Sequence, residues 1–329
     1  MNNWLYRIKR RYEMTVYNWK NDCEFSKKLA CLRLVDDIGR RIGLNRLSDW
    51  AHLKKDEWIL NYLQNMLKSS VHKYEKCEDE GRKVDNAPIW ICWWDGEKNT
   101  PMLVKQCIKS VEKNAGKHPV YLLSKENYSD YIDVPDYILH KLEGKRMGLA
   151  HFTDYLRVSL LKQYGGLWLD ATIFCSKEIM SEYFEYPFFT CKSEIKKGCY
   201  LSDFQWTTFC LGGWENHVFY QFMKEALEVY WREETTAIDY LFFDDLIYIA
   251  KENIPSIWKA LKNVPINNIH RDDLQAAMNA RLPAQEFWDV IKEDTCLYKL
   301  SWREPYSKKS ADGKMSVYGY FLEKLNEGA

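Results

Sequence analysis

The run GGLWLDAT (165–172) sets a double glycine before a short apolar segment and ends that segment on a carboxylate, Asp170. Upstream, Asp154 and Arg157 lie three residues apart, a spacing that puts both on one face of a helix. Together they offer a hydrogen-bond acceptor and a fork of donors, which is what the several hydroxyls of a sugar require. Taken alone, the pair is an ordinary helix ion pair worth roughly 0.2–0.5 kcal/mol. With Asp170 following thirteen residues after Arg157, a shared site is the stronger reading. The matching chemistry is the handling of a sugar joined to a diphosphate. Such a leaving group carries several negative charges that must be offset as the bond to the sugar breaks. A divalent metal held by carboxylate oxygens is the usual means, and it usually draws on two acids. Here the second position after Asp170 is Thr172, an uncharged ligand. Two sources of positive charge remain open: Mg or Mn held by Asp170 with water and the diphosphate oxygens, or protein cations. The cations available are Lys145 and Arg146 in EGKRMG (143–148) and Lys299 and Arg303 in KLSWRE (299–304).

These residues need a scaffold, and the pattern supplies one. PIWICWW (88–94) is a continuous apolar run, as expected of a strand covered on both faces. A helix is predicted from Thr100-Pro101, with Leu103, Val104, Cys107, Ile108 and Val111 on one stripe. PVYLLS (119–124) reads as the next strand and LAHFTDYLRVSLLKQY (149–164) as a helix closed by Gly165-Gly166. Alternating strand and helix predicts an α/β fold, a Rossmann-like, mainly parallel sheet flanked by helices. In such sheets ligands gather at the carboxyl ends of strands, where Trp94-Asp95-Gly96 and Asp170-Ala171-Thr172 would both sit. DYLFFDDLI (239–247) reads as a helix carrying Asp239, Asp244 and Asp245. One of them can orient an acceptor hydroxyl; adjacent positions point about 100° apart, so Asp244 and Asp245 cannot both face one site.

Residues 1–85 read as a helical extension and 86–329 as the α/β domain, joined by the charged link KYEKCEDEGRKVDN. In the extension Leu29, Leu32, Val35, Ile38 and Ile42 recur at helical spacing among basic residues. Residues 1–50 hold 11 Lys and Arg against 6 Asp and Glu, and Trp4, Tyr6, Tyr12, Tyr17 and Trp19 accompany them. Such a face fits either an anionic membrane surface or the flank of the following domain.

Over the whole chain Lys plus Arg and Asp plus Glu each number 47, so no net field argues for nucleic acid. The cysteines never come closer than eight positions, which removes C-x-x-C zinc and redox patterns. The seven histidines show no metal-ligand spacing. With no secretory leader and no long apolar run, the expectation is a reduced, cytoplasmic protein that touches a membrane at most from its inner face.

HFTDYLRVSLLKQYGGLWLDATIF (151–174) resembles the capsular polysaccharide synthesis proteins, relatives of the glycosyltransferases with a DXD sugar-binding region. It carries their S/T-D-x-L-R helix as TDYLR, their L-x-x-x-G-G turn as LKQYGG and their [YW]-[LI]-D strand end as WLD. The likeness runs from about Trp90 to about residue 325, with little in the first 85. It implies a GT-A-like fold in which Asp154 and Arg157 bind the donor sugar, Trp94 stacks on the base, Trp168 adds to the nucleotide site, and Asp170 touches ribose or metal. Stacking of this kind contributes about 1–3 kcal/mol. The implied activity is transfer of a hexose or N-acetylhexosamine from a UDP-sugar to a lipid-linked surface polysaccharide, with retention of configuration. Asp170, with Asp244 or Asp245, would stand at the reaction centre. A non-catalytic sugar-nucleotide binder is the alternative. A glycoside hydrolase fits poorly, because the acids follow a nucleotide turn.

Overall fold

In the computed structural model, residues 2–78, 80–196, 201–282 and 290–323 are described, with backbone only at 2–12 and 17. The N-terminal part is helical: α1 (Asn2–Phe25), α2 (Lys27–Ile42), α3 (Asn45–Met66) and α4 (Lys68–Tyr74). Ser26 caps α2 by accepting the Lys28 N–H at 3.1 Å, and Gly43 ends it at φ 78°, a conformation glycine adopts without steric cost. The chain then folds back so that Gly39 lies against Ser48, where an added Cβ would sit 3.1 Å from the serine Cβ.

The expected amphipathic stripe of α2 divides. Leu29 and Leu32 turn inward and are buried, whereas Ile38 and Ile42 are exposed. Ile59, Leu63, Leu67 and Tyr74 carry α3 and α4 into the same apolar core as the sheet. Two cations fix the docking: Arg33 donates to Asp239 at 3.2 Å and to the Ile238 carbonyl at 2.9 Å, and Lys55 donates to Asp239 at 3.1 Å. Asp239 is thereby an anchor for the extension, standing just before its helix rather than on it.

The central sheet contains β1 (Ile89–Cys92), β2 (Val120–Leu123), β3 (Gly166–Leu169), β5 (Phe188–Thr190) and β6 (Cys210–Gly213), in the order β2-β1-β3-β6-β5. β1 pairs in parallel with β2 and β3, β6 is antiparallel to β3, and β5 is antiparallel to β6. Four strands therefore run one way and β6 runs against them. A separate ribbon joins β4 (Ile173–Cys175) to β7 (Leu297–Lys299) antiparallel, with Ile173 opposite Lys299.

Helices α5 (Met102–Asn114), α6 (Asp136–Glu143), α7 (Leu149–Tyr164), α8 (Val218–Glu233), α9 (Phe242–Asn253), α10 (Pro255–Asn263), α11 (Asp273–Ala277) and α12 (Val317–Glu323) complete the described α-helices. α7 buries Phe152, Leu156, Leu160 and Leu161 completely, each worth about 1.5–3 kcal/mol against exposure. Gly165 and Gly166, at φ 63° and 96°, turn α7 into β3. A Cβ on Gly166 would lie 2.0 Å from the Pro88 carbonyl oxygen, so only glycine lets β3 pass the start of β1.

Candidate active site

Asp170 follows β3 directly. Its N–H donates to the Phe209 carbonyl at 2.9 Å, extending the ladder to β6 by one residue. Its carbonyl accepts from Ile173 N at 2.9 Å, which closes the Asp-Ala-Thr-Ile turn. The Thr172 carbonyl then accepts from Leu300 N at 3.0 Å, bringing the end of β7 beside the turn.

Four groups meet on the Asp170 carboxylate and on what holds it. Lys299 Nζ donates to Asp170 Oδ2 at 2.7 Å and to Thr172 Oγ1 at 2.9 Å. Trp168 Nε1 and an Arg157 Nη donate to Asp170 Oδ1 at 3.1 and 3.3 Å. The other Arg157 Nη donates to Asp154 Oδ1 at 2.6 Å. Arg157 is 4% exposed and packs over the rings of Trp168 and Phe243, with Cζ 5.0 and 5.5 Å from their centroids. Its Nε has no partner.

Burial alone would push the Asp170 carboxyl up, but the positive charges of Lys299 and Arg157 outweigh it and hold the group below the ordinary carboxylate range. Asp170 is ionised at neutral pH.

Asp244 and Asp245 divide as helical geometry requires. Asp244, in the first turn of α9, accepts from Trp206 Nε1 at 2.7 Å and feels both Asp154 and Arg157. Burial pushes its carboxyl up to about 6 despite the indole N–H, and the charge of Asp154 adds to that. Asp245 turns toward Lys55, Asp56 and Asp239; burial and the two aspartates raise it well above the usual range. Both line a polar cleft of about 540 Å³ bounded by residues of α2, α3 and α9.

The remaining candidates lie further out. Trp94 is half-buried, its ring 5.3 Å from Phe152 and 5.4 Å from Tyr128. It lies two residues beyond the end of β1, whose last residue, Cys92, is close enough to Asp170 and Arg157 to feel their charges. Trp168 requires a correction. At 2% exposure it has no face free for a base, and it acts instead as a support, its N–H on Asp170 and its ring beneath Arg157. Lys145 and Arg146 are exposed in the turn before α7, with Lys145 at φ 56°. Arg303 lies over Trp302, which meets Trp93 edge to face at 5.7 Å. Of the four expected cations, Lys299 is the one hydrogen-bonded to Asp170.

Mg or Mn held through Asp170 does not match this donor set. Both carboxylate oxygens already accept hydrogen bonds from protein cations or an indole. Among the described residues no three His, Cys, Asp or Glu side chains converge to hold a metal ion.

Several neighbours were not singled out from the sequence. Phe209 holds Asp170 through its carbonyl and stands 5.5 Å from Lys299 Nζ through its ring. Trp206 fixes Asp244, and His151 Nδ1 lies 3.8 Å from Asp154 Oδ2. Only His151 had a legible cue, being one helical turn from Asp154.

A mixed sheet flanked by helices, with a polar constellation at the carboxyl end of a central strand where such sheets commonly gather ligands, defines an α/β protein. The chain belongs to the capsular polysaccharide synthesis protein family, whose profile it matches over residues 41–321. The match starts inside the extension, so α3 and α4 belong to the family region, a wider span than the motif around Asp170 suggests. Among solved structures, one titled PaToxG Glycosyltransferase is similar at 14% identity and a TM-score of 0.37, covering 64% of this chain and 87% of that one. Comparison with curated proteins gives no match. Among the described residues no helix is long and apolar enough to cross a membrane.

Proposed function

We propose that the protein is a glycosyltransferase of GT-A type that moves a sugar from a UDP-sugar to a surface polysaccharide acceptor, carried on a lipid, with retention of configuration. The observation that supports this best is the continuous Asp154–Arg157–Asp170–Lys299 chain of hydrogen bonds at the end of β3.

In this reading Asp154 and Arg157 take the hydroxyls of the donor sugar, one accepting and one donating. Trp94 lies along the base, and Lys145, Arg146 and Arg303 stand at the rim where the diphosphate enters. Lys299 supplies the charge that the sequence left open between metal and protein. Its ammonium stabilises the diphosphate as the anomeric C–O bond breaks, and it is held in place before the reaction begins. The acceptor oxygen forms the new C–O bond on the same face, and its proton passes to the departing phosphate oxygen. No separate base is required for that step. The cleft beside Asp244 and Asp245 is on the acceptor side, and the hydroxyl-rich acceptor suits its carboxyl groups.

The second reading, a sugar-nucleotide binder without turnover, draws its support from Thr172 in place of a second acid. Titration calorimetry with UDP in EDTA and in Mn, followed by UDP release from a panel of donors, separates the two. Binding in EDTA together with release on at least one donor is the expected result. Binding with no release on any donor and acceptor supports the binder, and no nucleotide binding at all removes both.

A further inference from the structure

Arg271 belongs to none of the sequence motifs, yet the fold sets it beside Lys299. Its carbonyl accepts from Lys299 N at 2.8 Å, just before α11 begins. Its guanidinium lies over two rings, with Cζ 4.7 Å from the centroid of Phe204 and 5.6 Å from that of Phe209. Phe209 is the same ring that stands 5.5 Å from Lys299 Nζ, and its carbonyl takes the Asp170 N–H. One aromatic side chain beside the turn thus carries the cation that Asp170 holds and a second cation that Asp170 does not engage. The two like charges repel, and an anion placed between them relieves that. The Arg271 side chain is 12% exposed, and its protein partner among the described residues is Asp272, which accepts from Nε at 3.1 Å. That carboxylate is 67% exposed, so the pair contributes little. Among the described residues neither terminal nitrogen of Arg271 has an acceptor, and neither is sealed from solvent. A guanidinium held flat by two rings and anchored through Nε presents its free N–H groups as a fork that matches the paired oxygens of a phosphate.

We propose that Arg271 binds the diphosphate of the donor, its terminal N–H groups taking phosphate oxygens while Lys299 meets the same group from the Asp170 side. The assignment rests on the nucleotide-sugar reading above and names a second charge for its leaving group. As the anomeric C–O bond breaks, the electron pair stays on the phosphate oxygen, and two positioned cations stabilise it better than one. Phe204 and Phe209 are positioning residues: they hold the guanidinium without neutralising it, where a carboxylate over its terminal nitrogens would compete with the ligand. Asp203 and Phe204 both take positive φ, 45° and 62°, so a strained turn delivers the Phe204 ring to Arg271. A purely structural role for Arg271, fixing that turn, is the alternative that the test separates.

Titration calorimetry of the full chain with UDP, and ligand-observed NMR with uridine, read the phosphate contribution apart from that of the base and ribose. Arg271→Met, which keeps an unbranched stem between the two rings, should weaken UDP about ten- to a hundredfold and change uridine by less than about twofold. Arg271→Lys should recover part of the loss, because an ammonium restores the charge but not the fork. If the methionine variant melts well below wild type, the lysine variant carries the test, with an expected loss of at least about threefold for UDP alone. Unchanged UDP affinity in Arg271→Met, or equal factors lost for UDP and uridine, overturns the assignment while the donor reading stands. No UDP binding by wild type removes the donor reading, and the assignment with it.

Discussion

Lys299 places its ammonium 2.7 Å from the Asp170 carboxylate and, from the same nitrogen, 2.9 Å from the Thr172 hydroxyl. The two residues are 129 positions apart and meet because β4 and β7 pair with Ile173 opposite Lys299. A cation thus bridges the first and third positions of the Asp-Ala-Thr turn, where a turn with two acids would hold a metal. Threonine at the third position is consistent with that arrangement: it accepts from the ammonium without adding a negative charge.

Removal of this cation gives the first prediction. Lys299→Ala should weaken UDP binding by about ten- to a hundredfold, roughly 1.4–2.7 kcal/mol, as expected for loss of a charge-assisted contact. EDTA should leave wild-type affinity unchanged. Calorimetry in which EDTA abolishes binding and Mn restores it would return the role to a metal.

Arg157 is buried between two carboxylates, so its loss leaves both without their shared partner. Arg157→Met should cost about 3–5 kcal/mol in stability, read as a drop in the denaturation midpoint. Arg157→Lys should recover less than half, because an ammonium cannot span Asp154 and Asp170 with two separate N–H groups. Equal stability of Met and wild type would show that the pair contributes nothing to the fold.

The Asp244 carboxyl, raised to about 6, gives a pH signature. The folded protein holds this proton after the unfolded chain has released it, so the contribution to stability falls as pH rises from about 4 to about 6 and is flat above. Asp244→Asn keeps an acceptor for Trp206 and removes the penalty. Its stability gain over wild type should be near zero at pH 4 and grow to at most about 3 kcal/mol by pH 7. A difference that does not vary with pH would contradict the raised carboxyl.

Gly166→Ala tests how the site is positioned. With φ at 96° and the Pro88 oxygen 2.0 Å from the added carbon, β3 would have to move away from β1. A loss of about 3 kcal/mol or more is expected, followed by chemical denaturation. Gly43→Ala, at a positive φ with open space around it, should cost only about 1 kcal/mol.

The sequence by itself determined the local pieces. Periodicity set α7 at Leu149–Tyr164, the double glycine ended it, and the apolar runs marked β1, β2 and β3. Helical spacing paired Asp154 with Arg157, and the same 100° rule separated Asp244 from Asp245. Those are short-range properties, fixed by a few neighbouring residues. What the tertiary structure decided was every relation that depends on strand order and docking. It set β6 antiparallel beside β3, brought Lys299 rather than Lys145, Arg146 or Arg303 onto Asp170, buried Trp168 as a support, and tied Asp239 to Arg33 and Lys55. A period in the chain says which residues share a face, but which partner covers that face depends on contacts between segments a hundred or more residues apart, and no local pattern encodes them.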